Sequence, residues 1–168
     1  YLAGNQHGYQ LINADDAWDL GADGTGITIA VLDSGVQTHV DLPIGGSDAI
    51  NHGTAIAGIA AAITENGVGV AGVAGNSTLE SSVVSPIATV TMSQMVMGLQ
   101  AIASDVTPPD VVIAGFNTTL APVLIDTPAL DHFDLCRAIN DIVLDSGTPV
   151  AVVVSAPGKN NNASHHYP

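Results

Sequence analysis

Four short runs of apolar and β-branched residues limit the folds open to this chain more than any other feature. They lie at Ile27–Leu32, Ser81–Ile87, Asp110–Ala114 and Pro149–Val154. Continuous apolar runs of this length are typical of strands that are buried on both faces of a parallel sheet. Segments with helical character lie between them, at Ala55–Ile63, Met92–Ser104 and Leu130–Ser146. The alternation predicts an α/β fold of three layers, with a mostly parallel sheet between two layers of helices.

The composition excludes several classes of protein. The chain has 168 residues, with 2 Lys or Arg against 16 Asp or Glu, 46% hydrophobic residues and a net charge of −14. This length suits one domain with a core, and the apolar content excludes a disordered acidic tail. Nucleic acid and anionic membranes are both unexpected partners, because binding them requires clustered Lys and Arg. No apolar stretch is long enough to cross a membrane, and the single Cys excludes an internal disulfide framework.

Polar residues with catalytic potential follow the first predicted strand. Asp33, Ser34 and Gly35 come directly after it, and His52 precedes the first predicted helix. In parallel sheets, functional side chains gather at the carboxyl ends of strands. An Asp that orients a His forms the base half of a Ser-His-Asp triad, because the carboxylate fixes the tautomer and stabilises the imidazolium. Taken singly, such an Asp is more often a turn residue and such a His more often structural, so both interpretations stay open here.

Longer motifs around these residues resemble those of a known family. Residues Ala17–Val36, followed by His39–Leu42, closely resemble the catalytic Asp motif of subtilisin-like serine proteases. His52–Gly58 resembles their catalytic His motif, and Asn66–Ala74 resembles the loop that comes next. Weaker matches continue at Gly98–Ile102, Asp110–Ile113 and Pro149–Gly158. The resemblance covers nearly the whole chain, and its two specific motifs lie near the start.

The resemblance implies a subtilisin-like fold and peptide-bond hydrolysis by an Asp-His-Ser triad. Asp33 would be the triad carboxylate, and His52 would take the proton of a Ser hydroxyl and pass it to the leaving amine. The positions that match substrate-binding parts of the family are Ala88, Thr89 and Val90, Ala114, Gly115 and Phe116, and Ser155, Ala156 and Pro157. The first three would pair with an extended substrate backbone, and the other six would wall the pocket for the residue before the scissile bond. A peptide or protein substrate and a secreted or extracellular location are implied as well.

A structural calcium ion is also implied by the resemblance. In the family, an Asp shortly after the catalytic Asp and a loop after the His helix hold one cation. The matching ligands here are the carboxylate of Asp41, the side-chain oxygen of Asn66 and the carbonyls of Thr64, Val68 and Val70, with Gln6 or Gln10 as a further candidate. All of them are oxygen donors, as a hard cation requires. The alternative is that Glu65–Gly67 forms an ordinary turn with no ion.

The sequence departs from the family pattern in its later part. The family carries its nucleophile in a Gly-Thr-Ser motif, and no such motif occurs between Tyr1 and Pro168. Residues 1–168 therefore resemble the amino-terminal two-thirds of a catalytic domain that ends before the Ser-bearing helix. Lys159 stands where the family has its oxyanion Asn, although Asn160 follows directly. A further segment or a second chain would have to supply the Ser, and the isolated chain is expected to be inactive.

Two other interpretations remain beside an active protease. The chain could belong to a pseudoprotease that binds peptides or cations without hydrolysis, which the altered oxyanion position favours. It could instead be a nucleotide-binding α/β domain, since Gly21, Gly24 and Gly26 lie close together. A phosphate cradle needs its glycines between strand and helix, and these glycines precede the strand. The sequence therefore favours a subtilisin-like protease over both.

Overall fold

A four-stranded sheet with helices on both sides is built by the described part of the chain. The computed structural model describes residues 6–87, 89–115, 137–141, 143 and 152–155. The strands are β1 Thr28–Asp33, β2 Thr78–Val83, β3 Val111–Ala114 and β4 Val152–Ser155. The helices are α1 His7–Leu11, α2 Ala14–Asp19, α3 His52–Ala61 and α4 Met92–Ala103. Residues 137–140, which belong to the predicted helix Leu130–Ser146, are also α-helical.

All strand pairs in the sheet are parallel, and the strand order is β2-β1-β3-β4. Leu32 of β1 lies opposite Ala114 of β3, which lies opposite Ser155 of β4. Because β1 has a partner on each side, five of its six residues are buried, which explains its unbroken apolar sequence. The carboxyl ends of the strands therefore meet at one edge of the sheet, where β1 ends in Asp33.

The two faces of β1 carry the two main parts of the core. Ile29 and Val31 pack with α3 in one hydrophobic cluster. Ala30 and Leu32 pack with α4 in the other. Successive side chains of a strand point to opposite faces, so one strand supports helices on both sides. The predicted three-layer α/β architecture is confirmed.

Helix α4 follows its predicted pattern closely. Thr91 caps its start: the Thr91 hydroxyl accepts a hydrogen bond from the Gln94 amide at 3.3 Å, and the Gln94 side chain accepts one from the Thr91 amide at 2.9 Å. This reciprocal pair satisfies two amide groups that would otherwise lack partners at the helix start. Met95, Leu99 and Ile102 are buried along one face, as helical spacing requires.

The predicted bounds of two elements are wrong at both ends. The strand expected at Ser81–Ile87 lies earlier, at Thr78–Val83, because its pairing with β1 ends where Asp33 lies opposite Val83. The prediction took the apolar residues of this segment as buried strand residues, but Val83 and Ile87 are 57% and 61% exposed. The helix expected at Ala55–Ile63 begins at His52 and ends at Ala61. The pattern of apolar residues could not show that polar contacts start this helix one turn earlier.

The short amino-terminal helices attach to the loop that precedes β2. The rings of Tyr9 and Trp18 meet edge to face, with centroids 5.6 Å apart. The Tyr9 hydroxyl donates to the Ala71 carbonyl, and the Trp18 indole donates to the Val73 carbonyl at 2.7 Å. Three residues of this region, Tyr9, Ala14 and Ala71, are buried in a small satellite core. No helix in the described ranges is long and apolar enough to span a membrane.

Two methionines of α4 test the assignment of its buried face. Met95 is 1% exposed and Met97 is 67% exposed, although they lie on the same helix. Replacing Met95 with Ala should lower the free energy of unfolding by about 2–5 kcal/mol, because the lost side chain leaves a cavity. The matched Met97→Ala change should alter it by no more than about 0.5 kcal/mol. Urea unfolding measures both, and equal losses would contradict the assignment.

Candidate active site

The candidate site lies at the carboxyl edge of the sheet, around Asp33. Asp33 is the last residue of β1, and it is 6% exposed. Its Oδ1 atom accepts hydrogen bonds from the Ser34 amide at 2.7 Å and lies 3.0 Å from the Ser34 hydroxyl. Gly35 has a φ of +114°, a conformation that residues with a side chain rarely adopt, and its backbone passes close to the Ser47 carbonyl. The chain therefore turns away directly after the carboxylate.

His52 meets Asp33 from the start of α3. Its Nδ1 atom lies 2.9 Å from Oδ1 and 3.0 Å from Oδ2 of Asp33. The His52 side chain is 55% exposed, whereas that of Asp33 is 4% exposed. In a neutral ring, the carboxylate favours the tautomer with its proton on Nδ1, which leaves the lone pair of Nε2 free. The pair can therefore act as a general base toward a group that reaches Nε2.

Two glycines allow this close approach. A Cβ atom on Gly53 would collide with the Gly35 carbonyl oxygen and lie 3.0 Å from the Cβ of Asp33. A Cβ atom on Gly115 would collide with Oδ2 of Asp33 and with the side chain of Ile56. The first turn of α3 and the end of β3 thus both pack directly against the Asp33 carboxylate. Gly115, predicted as a wall of the substrate pocket, lies beside the candidate catalytic pair.

A second buried carboxylate, which belongs to none of the motifs identified in the sequence, lies next to the Asp33–His52 pair. Asp48 is 8% exposed and accepts a hydrogen bond from the Ser34 hydroxyl at 2.8 Å. Burial raises the pKa of Asp48, but hydrogen bonds from the hydroxyl and amide of Thr54, from Ser34 and from Ile50 outweigh this and lower it from 3.8 to about 2. Asp48 is therefore ionised at neutral pH. One sequence signal could have identified Asp48: it lies just before the start of a helix, where Asp often caps backbone amides.

The predicted substrate-binding residues are only partly described. The Thr89 carbonyl accepts a hydrogen bond from the Ser85 hydroxyl at 2.7 Å, and Val90 packs against the α4 core cluster. Ala114 is 4% exposed, and the backbone of Ser155 lies beside it in the sheet. The rest of this predicted set, Ala88, Phe116, Ala156 and Pro157, lies outside the described residues.

Two of the predicted cation-ligand residues, Asn66 and Val70, contact Asp41, which is 3% exposed. Its Oδ1 accepts a hydrogen bond from the Asn66 side-chain amide at 2.8 Å, and its Oδ2 accepts one from the Val70 amide at 2.9 Å. The Asn66 side-chain oxygen accepts from the Val68 amide at 3.0 Å. Gly69, with a φ of +58°, passes so close that a Cβ atom would collide with Oδ2 of Asp41. The loop therefore wraps around this one carboxylate.

The two further candidate ligands, Gln6 and Gln10, differ in their surroundings. The Gln6 side chain donates to the Ala71 carbonyl at 2.9 Å and accepts from the Ala71 amide at 3.1 Å, so both of its polar atoms have partners. Gln10 is exposed. In the described ranges, no three His, Cys, Asp or Glu side chains gather as a metal site, so a cation here would depend on carbonyl and amide oxygens. Glu65 and Gly67 have φ values of 60° and 73°, which shows that this segment is also a tight turn.

Comparisons with known proteins all find similarity to subtilases. A sequence profile described as the Subtilase family matches residues 24–168. Thermitase of Thermoactinomyces vulgaris is 44% identical over 88 residues, which cover 44% of this chain and 31% of the relative. The thermophilic serine proteinase of Bacillus sp. strain AK1 is 44% identical over 90 residues, which cover 45% of this chain and 22% of the relative. The matched region thus spans about a third or less of these relatives.

Solved structures agree with the profile match. A protease from Pseudoalteromonas arctica PAMC 21717 superposes with a TM-score of 0.69 at 26% identity, covering 93% of this chain and 56% of that one. MycP1 with its amino-terminal propeptide removed superposes with a TM-score of 0.70 at 24% identity, covering 92% of this chain and 50% of that one. At the lower identity, the likeness shows a shared fold alone.

Two glycines of α3 test the packing of its first turn against Asp33. Gly53→Ala should lower the free energy of unfolding by about 1–3 kcal/mol, because the added Cβ overlaps the Gly35 carbonyl. A Cβ atom on Gly58 would meet no atom within 4 Å. The matched Gly58→Ala change should therefore stabilise the protein by up to about 1 kcal/mol through helix propensity. Chemical denaturation compares the two, and a neutral Gly53→Ala variant would refute the close approach.

Proposed function

The chain belongs to the subtilase family, and we propose that the protein that carries it is a serine endopeptidase with Asp33 and His52 as two of its three catalytic residues. The observation that supports this most directly is the contact of 2.9 Å between Nδ1 of His52 and Oδ1 of Asp33. A buried carboxylate and a half-exposed imidazole at the carboxyl edge of a parallel sheet suit a base that acts on a group arriving from solvent.

Each residue has a distinct role in the proposed mechanism. Asp33 holds His52 in the tautomer with its proton on Nδ1 and stabilises the imidazolium that forms during the reaction. Nε2 of His52 takes the proton of a Ser hydroxyl as the Ser oxygen bonds to the peptide carbonyl carbon. The same proton then goes to the leaving amine as the peptide bond breaks. Water hydrolyses the resulting acyl-enzyme through the same base, which frees the Ser.

The nucleophile is proposed to come from outside these 168 residues. Within them, no Gly-Thr-Ser motif occurs. We therefore propose that residues 1–168 alone are inactive, and that a further segment or a second chain provides the Ser. A peptide or protein substrate would lie along Thr89 and Val90, with Ala114, Gly115 and Ser155 close to its scissile bond. Secretion of the protein remains a prediction from the family resemblance.

A fluorophosphonate probe, which labels an activated Ser, tests the proposed activity. The isolated 168-residue chain should not be labelled, whereas the protein extended to its Gly-Thr-Ser segment should be labelled and should cleave a peptide substrate. In the extended protein, Asp33→Asn should lower kcat/KM about 10⁴-fold, the size of loss known for triad carboxylates.

A second carboxylate provides the control for that experiment. Asp110 accepts a hydrogen bond from the Thr28 amide at 2.8 Å, at the opposite edge of the sheet. Asp110→Asn should lower stability without a comparable loss of kcat/KM. Labelling of the isolated chain would overturn the proposed inactivity, and an extended protein that has the Ser but cleaves no peptide would favour the pseudoprotease alternative.

We also propose that Asp41 binds a structural calcium ion with Asn66 and the carbonyls of Thr64, Val68 and Val70. Asp41 is 3% exposed, and its carboxylate receives hydrogen bonds from neutral donors. The sequence offers only two Lys or Arg residues to balance sixteen acids, and a cation would add charge compensation to the hydrogen bonds that already support this buried carboxylate. The proposed ligands are all oxygen atoms, which fits calcium. To supply its oxygen, the Asn66 side chain would have to turn over, because its NH₂ group faces Asp41 in this structure. When bound, the ion would neutralise Asp41 and hold the loop.

Chelation tests the calcium proposal. Adding EDTA should lower the Tm of the protein by several degrees, because an ion that binds only the folded state stabilises it. Asp41→Asn should lower the Tm in the presence of calcium and should make it insensitive to EDTA. An unchanged Tm on chelation, or an equal EDTA effect in Asp41→Asn, would count against a calcium ion at this loop.

A further inference from the structure

One hydroxyl group links the two buried carboxylates of the site. The Ser34 Oγ atom lies 3.0 Å from Oδ1 of Asp33 and 2.8 Å from Oδ1 of Asp48. It also accepts a hydrogen bond from the Gly53 amide at 3.1 Å. Because a Ser hydroxyl has a single proton, it can donate to only one of the two carboxylates at a time. The shorter contact favours Asp48 as the acceptor.

Asp48 also holds the first turn of α3, the helix that begins with His52. Its Oδ2 accepts hydrogen bonds from the Thr54 amide at 2.9 Å and from the Thr54 hydroxyl at 2.6 Å. Its Oδ1 accepts from the amides of Ile50 and Asn51 at 3.2 Å and 3.0 Å. The residue at the cap position, Asn51, makes no side-chain cap and has a left-handed φ of 59°. Asp48 therefore takes over the capping of this helix from three residues earlier.

We propose that Asp48 is a positioning residue for the Asp33–His52 pair, because its two oxygens connect the residue after Asp33 to the helix turn that carries His52. The inference rests on the proposed protease function for its catalytic meaning. Asp48 reaches neither the imidazole nor a substrate in this network. It acts through Ser34 on one side and through the start of α3 on the other.

The shared proton gives this role a specific consequence. When Ser34 donates to Asp48, Oδ1 of Asp33 keeps the Ser34 amide and Nδ1 of His52 as its donors. If Asp48 is replaced by Asn, its side-chain NH₂ can donate to the Ser34 oxygen, and the Ser34 proton then turns to Asp33. That proton competes with His52 for the same carboxylate oxygen. If Asp48 were only a helix cap, replacing it would destabilise α3 but would not weaken the hydrogen bond between His52 and Asp33.

Proton NMR of the Nδ1–H group of His52 tests the proposal. In the unchanged protein, this proton should be detectable at low temperature as a downfield signal, because the carboxylate holds it. In Asp48→Asn its exchange with water should be about tenfold faster, as expected for the loss of one hydrogen bond. Asp110→Asn, which removes the charge from a similar carboxylate–amide contact of 2.8 Å far from the site, should leave the exchange rate unchanged.

Two further variants separate positioning from helix capping. Ser34→Ala breaks the link between the carboxylates and leaves the contacts of Asp48 with Thr54 in place. Ser34→Ala has no hydroxyl proton to compete with His52, so this variant alone should show Nδ1–H exchange no faster than the unchanged protein. For the same reason, adding Ser34→Ala to Asp48→Asn should remove the acceleration, because both changes act through one proton. Unchanged exchange in a folded Asp48→Asn protein would overturn the proposal. If Asp48→Asn does not fold, Ser34→Ala still tests the proposal, because faster Nδ1–H exchange in Ser34→Ala would contradict competition for the shared proton.

The NMR experiment is independent of peptide cleavage. If the Nδ1–H signal responds as expected but the extended protein cleaves no peptide, the positioning role stands and the proposed function fails. If peptides are cleaved, Asp48→Asn should lower kcat with KM nearly unchanged, because the change affects the base rather than substrate binding. Equal kcat in the two proteins would again count against positioning.

Discussion

The buried carboxylate of Asp33 is the group on which the arrangement of the site depends. Its burial follows from the central place of β1, which has a partner strand on each side and a helix over each face. A charge in such a place is costly unless hydrogen bonds surround it. The turn at Ser34, the start of α3 and the two close glycines all serve this requirement, and they leave His52 as the one partner that faces solvent.

The chain supports several buried carboxylates with hardly any basic residues. Asp33, Asp41 and Asp48 are each less than 9% exposed, and each accepts hydrogen bonds from backbone amides. Ion pairs with Lys or Arg cannot stabilise all of these carboxylates, because the sequence has only two Lys or Arg residues. Backbone donors are fixed by the fold, so these carboxylates bind loops to the sheet. The same solution leaves the negative charge itself uncompensated, which is the physical basis for expecting a cation near Asp41.

The sequence was sufficient to predict the features of the fold that depend on local patterns of residues. The apolar runs predicted the parallel sheet. The helical spacing of Met95, Val96, Leu99, Ile102 and Ala103 predicted α4, and the first, third and fourth of these are its buried residues. The resemblance to subtilisin-like motifs indicated that Asp33 and His52 form a pair, whereas the sheet topology alone placed only Asp33 at a strand end. The sequence did not show the role of Asp48, since the hydrogen bond that joins this carboxylate to Ser34 forms only when the end of β1 and the start of α3 meet. It also misplaced β2, whose ends are set by pairing with β1 and by no pattern of its own.

The contact of the amino-terminal helices with the loop at Ala71–Val73 makes α1 and α2 part of the support for the loop around Asp41. Gln6, Tyr9 and Trp18 each bind a backbone group in that stretch, which directly follows the loop around Asp41. A cut or a bulky fusion near Gln6 would therefore act at a distance in sequence, by loosening Val70 and its neighbours. Local unfolding of α1 and α2 should then be coupled to that of Ala71–Val73, as one cooperative unit.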